Sequence, residues 1–432
     1  DNAAVLATLL AEMNAALGAS YEAAPIVSGS VQTGTGLASL VLCPHDRSQR
    51  MGTVRTATES QVDAALKAAT EAAYGWDRLG GPARAKILDN AADLVERDRS
   101  KFMALLVREA GRTIPNALAE VRETADFLRY YAFQARKLFA EPVSLTSTTG
   151  ETSTIEWRAR GPFACIAPWN FPLAIFVGQA AAALAAGNPV LAKPAEQTPI
   201  IGFLAVKLLH EAGVPPNVLH YLPGGGEVGA ALVKDLRVKG VAFTGSNETA
   251  WSIQKALADR RGPIIPFIAE TGGLNAMIAD SSALPEQIVR DAVRSAFDSA
   301  GQRCSAARVL FLQDDIAAKT IPMLTGAIAA LKIGDPLAID TDIGPVIDEP
   351  SQDALETHKL RMQDQARELI DLRLPPNVRG GTYVSPACYE IDRMSLLDRE
   401  VFGPILHVVR FPRGGLSKVI DSINASGYGL TL

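Results

Sequence analysis

The chain has 432 residues, of which 48% are hydrophobic, 21% are charged and 6% are aromatic, and its formal net charge is −5. Its length is sufficient for two or three domains, and its composition is typical of a large globular enzyme. No Lys/Arg-rich run is present, so neither nucleic acid nor an anionic membrane is expected as a main partner. The longest apolar stretches, such as residues 180–186, are too short to span a bilayer.

The first third of the sequence predicts mostly helix. Ala-rich segments with helical periodicity cover residues 4–16, 60–73, 82–110 and 116–137. The segment that follows, residues 146–157, is polar and rich in Thr and Ser, which predicts a protruding hairpin.

From residue 162 onward, short apolar runs alternate with amphipathic segments. Strands are predicted at residues 162–167, 190–193, 218–221, 241–244 and 267–270, and helices at 173–186, 199–212, 228–234 and 247–258. Strand–helix alternation at this spacing is typical of a doubly wound parallel sheet. A second α/β unit is expected after about residue 273, with strands near 275–279 and 307–313.

Cysteine and histidine usage argues against a disulfide framework and against a metal site. The four cysteines are Cys43, Cys165, Cys304 and Cys388, and they form no CxxC pair. The five histidines are equally scattered, and none has the spacing of a metal-binding pair. These patterns predict a reducing, cytoplasmic setting and no bound metal.

Cys304 follows a predicted apolar helix over residues 288–300 and precedes a strand, within the sequence GQRCS. Nucleophiles are often presented at such junctions, and Arg303 and nearby backbone N–H groups would raise the thiolate fraction of this cysteine. The alternative is an inert buried thiol, because free cysteine is among the most buried residue types.

Two polar residues follow or end predicted strands. Glu270 ends what reads as a buried strand and precedes two glycines, where a carboxylate could activate a water or could simply be satisfied by loop amides. Asn170 lies between two prolines in PWNFP. A rigidly held amide there is a good donor to a developing oxyanion, and the alternative is a simple Asx turn.

Six motifs together resemble the aldehyde dehydrogenase superfamily over nearly the whole chain. They are PWNFP at 168–172, KPAEQTP at 193–199, FTGS at 243–246, ETGG at 270–273, GQRCS at 301–305 and EVFGP at 400–404, in the family's order and at its approximate spacing. The resemblance implies that Cys304 attacks the aldehyde carbon as a thiolate and becomes a thioester. It also implies that the Asn170 amide and the Cys304 N–H hold the oxyanion, and that Glu270 activates the hydrolytic water.

The resemblance implies an α/β fold of the aldehyde dehydrogenase type. Such a fold has a Rossmann-type NAD-binding domain, an α/β catalytic domain and a β-hairpin oligomerisation arm. We expect the NAD-binding domain, with the N-terminal helices, at 1–137 and 159–272, the arm at 138–158 and the catalytic domain at 273–432. The cofactor and the aldehyde are expected to meet between the two domains, at Cys304.

NAD is the cofactor that the resemblance implies. The residues expected to bind it are Lys193, Glu196, Ser246, Gly226, Ile166, Pro168, Trp169, Thr271, Gly272, Glu400 and Phe402. Lys193 and Glu196 match the family's adenosine-ribose ligands, and a carboxylate there repels a 2′-phosphate, which favours NAD over NADP. Glu400 and Phe402 match the positions that hold the nicotinamide ribose and pack against the nicotinamide.

Residues 224–229 match GxGxxG between a strand and a helix, and this pattern alone predicts a pyrophosphate site. The family resemblance implies instead that the pyrophosphate lies at the FTGS turn, near Ser246, and that the glycine loop flanks the adenine. The loop is one residue shorter than the family's usual GxGxxVG loop.

Within the superfamily the chain is similar to Δ1-pyrroline-5-carboxylate (glutamate semialdehyde) dehydrogenases, and more specifically to the aldehyde dehydrogenase half of bifunctional proline utilization A. This likeness is carried by residues 126–132, 161–167, 301–309 and 427–431. It implies NAD-dependent oxidation of L-glutamate γ-semialdehyde to L-glutamate in proline catabolism. The residues expected around the substrate are Glu123, Phe171, Arg303 and Ser305.

The same likeness implies partners outside the chain. A chain that opens at Asp1 without a Met fits a C-terminal piece of a fusion with a proline dehydrogenase domain. That domain, not this chain, would carry FAD and could associate the protein with a membrane. A homo-oligomer is expected, with the family's last oligomerisation strand and its substrate-carboxylate loop after Leu432.

Three other interpretations remain open at this point. The chain could act on another semialdehyde, such as succinic semialdehyde, with the same machinery. It could be a non-catalytic assembly domain, although such a domain would be expected to lack Cys304 or Glu270, and both are present. A dinucleotide-binding regulator would explain the sheet but not the GQRCS and ETGG motifs together.

Overall fold

The computed structural model describes residues 2–432, which divide into two compact units. The first unit runs to Val41 and continues over Arg50–Ala110 and Ala117–Glu270. The second unit contains Leu42–Gln49, Gly111–Asn116 and Thr271–Leu432. Across the described residues, no helix combines the length and the apolar character that a bilayer crossing requires.

The N-terminal part of the described chain begins with a helix and continues through a series of strands into four further helices. The elements are α1 (Asn2–Leu17), β1 (Tyr21–Ala23), β2 (Ile26–Val27), β3 (Ser30–Val31), β4 (Ala38–Cys43), β5 (Asp46–Arg55), α2 (Glu59–Arg78), α3 (Gly81–Arg97), α4 (Arg99–Glu109) and α5 (Ile114–Leu138). Helix α2 begins at a capping box, in which Thr58 and Gln61 satisfy each other's backbone N–H groups. The prediction of one helix over 82–110 was wrong, because the backbone leaves the helical conformation at Asp98 and two helices result.

The polar segment after α5 forms a two-stranded antiparallel hairpin of β6 (Val143–Leu145) and β7 (Ser153–Ile155). Gly150 lies in the connecting turn with φ +86°, a conformation that is inexpensive for glycine. Val143, Leu145 and Ile155 are exposed along the hairpin.

The first unit is built on a seven-stranded sheet in the order β12-β11-β8-β9-β10-β2-β3. The elements that form it after the hairpin are β8 (Phe163–Ile166), α6 (Ala174–Ala185), β9 (Val190–Lys193), α7 (Pro199–Glu211), β10 (Leu219–Tyr221), α8 (Gly226–Lys234), β11 (Gly240–Thr244), α9 (Asn247–Ala258) and β12 (Phe267–Glu270). Strands β8 to β12 are parallel to one another, and β2 and β3 are antiparallel additions at one edge. The chain builds outward from β8 in both directions, which makes the sheet doubly wound, as predicted.

Continuous apolar runs explain the central strands of this sheet. All residues of β8 and β9 are buried, as expected for strands covered on both faces. The core against one face combines α2, α8 and α9 residues with the strands, for example Leu66, Leu232 and Val241. The interpretation of residues 267–270 as a buried strand was wrong. β12 is the edge strand of the sheet, and three of its four residues are exposed.

The second unit has a five-stranded sheet in the order β13-β14-β17-β16-β15. Its elements are β13 (Ala276–Ala279), α10 (Pro285–Phe297), a 3₁₀ turn (Asp298–Gly301), β14 (Val309–Gln313), α11 (Asp314–Ala329), α12 (Glu349–Gln365), β15 (Arg367–Asp371), β16 (Ala387–Glu390), β17 (Ile405–Phe411) and α13 (Leu416–Asn424). Four strands are parallel, and β15 is an antiparallel edge strand. Apolar clusters on the two faces of this sheet complete the unit, with Phe311 in one and Leu310 in the other.

Candidate active site

Several predicted site residues lie at the carboxyl ends of four parallel strands, along one edge of the first unit's sheet. Ile166 at the end of β8 pairs with Lys193 at the end of β9, and Thr244 at the end of β11 pairs with Glu270 at the end of β12. The strand order reverses between β8 and β11, which are adjacent. In open α/β sheets, ligands bind outside the carboxyl ends at such a reversal. The loops after β8 and β11 are therefore the candidate nucleotide-binding loops of this unit.

Asn170 lies in the loop between β8 and α6, and it is 7% exposed. Its neighbours Pro168, Trp169 and Phe171 are half-buried. The end of the loop is held from α5, because Glu120 Oε1 accepts hydrogen bonds from the N–H groups of Leu173 at 2.9 Å and Ala174 at 3.4 Å. The side chain of Glu120 is buried, and no sequence motif marks it.

Ser246 follows β11 and is the N-cap of α9, where its Oγ accepts a hydrogen bond from the N–H of Thr249 at 3.2 Å. Its side chain is exposed at the start of the helix. N-terminal N–H groups of a helix attract anions, so this position is compatible with a phosphate. Glu270 is also exposed, at the end of the adjacent strand.

The GxGxxG-like loop carries its own negative charge. Glu227 Oε1 accepts a hydrogen bond from the Gly225 N–H at 2.9 Å, at the beginning of α8. Glu196 also approaches this loop, since a Cβ on Gly225 would lie 3.2 Å from Glu196 Oε2. Two carboxylates at the loop disfavour a pyrophosphate there and agree with the interpretation that this loop is not the phosphate site. Gly226, which was predicted to contact the cofactor, is the first residue of α8.

Lys193 is buried beside this loop and donates a hydrogen bond from Nζ to the Pro194 carbonyl at 2.9 Å. Burial lowers the pKa of Lys193, while the charges of Glu196 and Glu227 raise it. Helix α8 approaches the lysine at Gly229, where a Cβ would be 3.6 Å from Lys193 Cδ. The predicted ribose-binding pair Lys193 and Glu196 is therefore present as a buried ammonium and an exposed carboxylate.

In the second unit, Cys304 differs from the other three cysteines by its accessibility. Cys43, Cys165 and Cys388 are buried, whereas Cys304 is half-buried. Burial raises the pKa of Cys165 to about 12 and also raises the pKa of Cys388, so both remain neutral thiols at physiological pH. Cys304 is thus the cysteine that is placed to react.

A left-handed turn leads to Cys304. After α10, Ser299, Ala300 and Gly301 have φ values of +57°, +53° and +67°. Non-glycine residues rarely adopt such values, and they tend to do so at functional sites. Gly301 cannot carry a side chain, since a Cβ would lie 2.0 Å from the Gly403 carbonyl oxygen.

Arg303, the residue next to Cys304 in the sequence, is held by polar partners of the same unit. Its guanidinium forms an ion pair with Asp298 at 2.9 Å and hydrogen bonds with Asn116 and with Ser299 Oγ. Its charge is therefore matched by Asp298. The charge of Arg308, which is fully buried just before β14, interacts with that of Cys304.

Polar side chains that the sequence analysis missed hold the Cys304 loop. Asn275 Nδ2 donates to the carbonyls of Cys304 at 2.6 Å and Ala306 at 2.9 Å. Arg308 donates to the carbonyl of Arg303 at 2.9 Å. Arg308 immediately precedes the apolar run VLFL, and a lone arginine in this position is the sequence signal that could have identified it. Asn275 follows ETGG and carries no comparable signal.

Glu400 lies beside the two glycines of ETGG, and both Glu400 and Phe402 lie beside Arg308. Glu400 Oε1 accepts a hydrogen bond from Arg308 at 3.1 Å, and the Arg308 guanidinium lies 5.1 Å from the centre of the Phe402 ring. Burial raises the pKa of Glu400, while Arg308 and a hydrogen bond from the Gly273 N–H lower it. A Cβ on Gly272 would lie 1.7 Å from Glu400 Oε2.

The predicted site residues are divided between the two units. The second unit contains Thr271, Gly272, Arg303, Cys304, Ser305, Glu400 and Phe402. The first contains Glu123, Ile166, Pro168, Trp169, Asn170, Phe171, Lys193, Glu196, Gly226, Ser246 and Glu270. Glu123, on α5, and Ser305 are exposed, and Thr271 is half-buried.

Comparison with known proteins identifies the family. The model of the aldehyde dehydrogenase family matches residues 33–432. Bifunctional protein PutA of Escherichia coli K12 is 50% identical over 421 residues, which cover 95% of this chain and 31% of that protein. A 1-pyrroline-5-carboxylate dehydrogenase of Geobacillus sp. WCH70 is 33% identical over 429 residues, with coverages of 98% and 82%.

A solved structure gives the same result. The 1-pyrroline-5-carboxylate dehydrogenase from Thermus with bound NAD superposes with a TM-score of 0.90 at 30% identity, over 96% of this chain and 81% of that one. These findings confirm the predicted aldehyde dehydrogenase fold and the likeness to proline utilization A. This chain belongs to the aldehyde dehydrogenase family.

Proposed function

We propose that the chain is an NAD-dependent dehydrogenase that oxidises L-glutamate γ-semialdehyde to L-glutamate in proline catabolism. The observation that carries the proposal is the presentation of Cys304, an accessible cysteine after a left-handed turn, in a chain 33% identical to a 1-pyrroline-5-carboxylate dehydrogenase over 98% of its length. The chain spans 31% of the Escherichia coli PutA protein and 30% of that of Klebsiella aerogenes, so the activity of a longer protein belongs to this proposal as well.

The residues of the chain can perform each part of this reaction. The Cys304 thiolate adds to the aldehyde carbon and forms a new C–S bond, and the Asn170 amide and the Cys304 N–H stabilise the resulting oxyanion. NAD, when bound, supplies the acceptor for the hydride that leaves the carbon as the thioester forms. Glu270 then removes a proton from a water that attacks the thioester, which releases the acid and regenerates the thiolate.

The first unit fits a dinucleotide. Its parallel sheet reverses strand order between β8 and β11, and the N-terminus of α9 at Ser246 follows the second of these strands. Glu196 and Glu227 place two carboxylates near the buried Lys193, which suits ribose hydroxyls better than a 2′-phosphate. In the proposed assignment Ile166, Pro168, Trp169, Gly226, Thr271 and Gly272 also contact the cofactor, and Glu400 and Phe402 hold its nicotinamide end.

The proposed substrate carries an ammonium, a carboxylate and an aldehyde. Arg303 or Ser305 would bind the carboxylate, Glu123 would face the ammonium and Phe171 would line the aliphatic part. Arg303 already pairs with Asp298, so that pair would be shared with the substrate carboxylate or would open when substrate binds.

The wider assembly is also a proposal. By analogy with the bifunctional relatives, we propose a fused proline dehydrogenase domain that holds FAD, a cytoplasmic location and a homo-oligomer built with the hairpin arm at 138–158. The division into an NAD-binding domain (1–137 and 159–272) and a catalytic domain (273–432) belongs to the same proposal. A monomeric mass in light scattering of the gene product would contradict the oligomer.

The substrate is tested by NADH absorbance with glutamate γ-semialdehyde, succinic semialdehyde and propanal. The assay uses both this chain and the gene product that contains it, with Cys304→Ala and Cys388→Ala as the variant and its matched control. We expect preference for glutamate γ-semialdehyde and loss of activity in Cys304→Ala alone, because Cys388 is a buried, neutral thiol.

A preference for succinic semialdehyde would retain the mechanism and overturn the substrate. Binding of NAD without oxidation of any aldehyde by the gene product would favour a non-catalytic assembly domain.

A further inference from the structure

Arg308 is a fully buried cation that contacts two separate loops of the second unit. Its guanidinium donates hydrogen bonds to the carbonyls of Gly301 at 2.6 Å and Arg303 at 2.9 Å, on the loop that leads to Cys304. On the other side it donates to Glu400 Oε1 at 3.1 Å and lies 5.1 Å from the centre of the Phe402 ring. One side chain therefore joins the nucleophile loop to residues 400–403.

The backbone of Arg308 is fixed from both sides. Its N–H donates to the Asn275 carbonyl at 2.9 Å, and its own carbonyl accepts from the His407 N–H at 3.0 Å and is 3.0 Å from His407 Nδ1. A buried guanidinium is costly unless hydrogen bonds and an opposite charge match it. Here Nη1 and Nη2 donate hydrogen bonds and Glu400 supplies the opposite charge, while Nε has no hydrogen-bond partner among the described residues. Because the backbone of Arg308 is fixed, its planar guanidinium, which donates several hydrogen bonds, can set the positions of the groups that it contacts.

We propose that Arg308 is the positioning residue that couples the Cys304 loop to the Glu400–Phe402 loop. Its hydrogen bonds to two carbonyls that precede Cys304 fix the position of the thiol. Its positive charge favours the thiolate form of Cys304. By holding Glu400 and Phe402 from the same guanidinium, it aligns the cofactor-holding loop with the nucleophile. The effect on cofactor binding rests on the proposed function, whereas the effect on the thiol does not.

Electrostatics support this geometry. Burial lowers the pKa of Arg308, and the charges of Glu400 and Cys304 raise it. An attraction between two charges acts on both, so the guanidinium that the thiolate stabilises also stabilises the thiolate. The groups that face Arg308 are Glu400, Cys304 and His407, and burial keeps His407 neutral by lowering its pKa to about 3. The nearby Arg303 is paired with Asp298.

The test measures the alkylation rate of Cys304 by iodoacetamide between pH 5 and 10, with NAD affinity measured separately by titration calorimetry. The variants are Arg308→Met and Arg308→Lys. Lys359→Met is the matched control, because Lys359 is another buried cation of this unit, paired with Asp371 at 2.8 Å and distant in sequence from both loops.

For Arg308→Met we expect the apparent pKa of alkylation to rise by about one unit, which lowers the rate at pH 7 by about tenfold. Arg308→Lys keeps the positive charge but lacks the forked guanidinium donor. We expect it to retain most of the wild-type thiol reactivity and to bind NAD about tenfold more weakly than the wild type. Lys359→Met should lower thermal stability and leave both the alkylation profile and NAD affinity unchanged.

An alkylation profile of Arg308→Met that matches the wild type would overturn the proposal, as would an equal shift in Lys359→Met. If Arg308→Met does not fold, a wild-type alkylation profile and wild-type NAD affinity in Arg308→Lys would overturn it as well. The alkylation readout needs no aldehyde, so a shifted profile in a protein that fails to oxidise glutamate γ-semialdehyde would retain this inference and remove only the proposed function.

Discussion

At the scale of single residues, two glycines of the second unit are required by what lies beside them. Gly301 adopts φ +67° and faces the Gly403 carbonyl. Gly272 has no such conformational demand, but a Cβ there would lie 1.7 Å from Glu400 Oε2. The sequence shows these glycines within motifs, and the structure gives the physical reason for each.

Gly272→Ala is expected to displace the Glu400 carboxylate and weaken NAD binding by about tenfold or more, because a hydrogen bond to a charged group contributes roughly 1.5–3 kcal/mol. Titration calorimetry with NAD measures this change. The matched control is Gly326→Ala within α11, where a Cβ would meet no atom within 4 Å. That control should bind NAD normally and be stabilised by about 0.5–1 kcal/mol. Normal NAD affinity in Gly272→Ala would contradict the proposed role of Glu400 in holding the cofactor.

At the scale of elements, two helices of the first unit begin at carboxylates supplied by other helices. Glu120 of α5 accepts hydrogen bonds at the start of α6. Glu109 of α4 accepts from the N–H groups of Ile200 at 2.7 Å and Ile201 at 2.9 Å, at the start of α7. A carboxyl group at a helix N-terminus satisfies N–H groups that have no partner within the helix.

Glu109 gives this cap a pH dependence. Burial raises the pKa of Glu109 from 4.5 to about 8, against the lowering effect of the two backbone N–H groups. The unfolded chain releases this proton near pH 4.5 and the folded chain near pH 8. The contribution of Glu109 to stability is therefore fully present below pH 4.5 and is lost as pH rises towards 8, at about 1.4 kcal/mol per pH unit.

Urea unfolding at pH 5 and pH 8 tests this cap with the Glu109→Gln variant. The amide does not ionise, so its stability relative to the wild type should increase with pH, although it leaves the N–H of Ile200 or Ile201 without an acceptor. A constant difference between the two proteins at both pH values would show that Glu109 has an ordinary pKa in the folded protein.

Most elements after residue 162 could be predicted from the sequence because their apolar runs and helix boundaries are local. The helix 247–258 and the strand 267–270 agree with the structure in their bounds. The exposure of β12 could not be predicted from the sequence, because an edge strand and a central strand can contain similar apolar runs. The strands between residues 21 and 55 were not predicted, and three of them, β1, β2 and β3, have only two or three residues, which give no periodicity.

At the scale of the whole molecule, the motifs locate reactive groups but not the contacts that hold them. Cys304, Glu270 and Asn170 were found because each lies at or just beyond the end of an element, where the sequence pattern changes. Arg308, Asn275 and Glu120 were missed because their roles depend on hydrogen bonds to backbone groups of other loops and helices. The sequence marks Arg308 as a lone arginine before an apolar run, but it does not indicate the partners of any of these three side chains.

The central claim is that the reaction passes through a thioester on Cys304. The most direct measurement is mass spectrometry of Glu270→Gln, quenched during reaction with NAD and glutamate γ-semialdehyde. Since the loss of Glu270 slows hydrolysis, we predict a glutamyl adduct on the peptide that contains Cys304. The adduct should be absent without NAD and absent when Cys304→Ala is added. An adduct on another residue, or NADH formation by the Cys304→Ala protein, would contradict the mechanism.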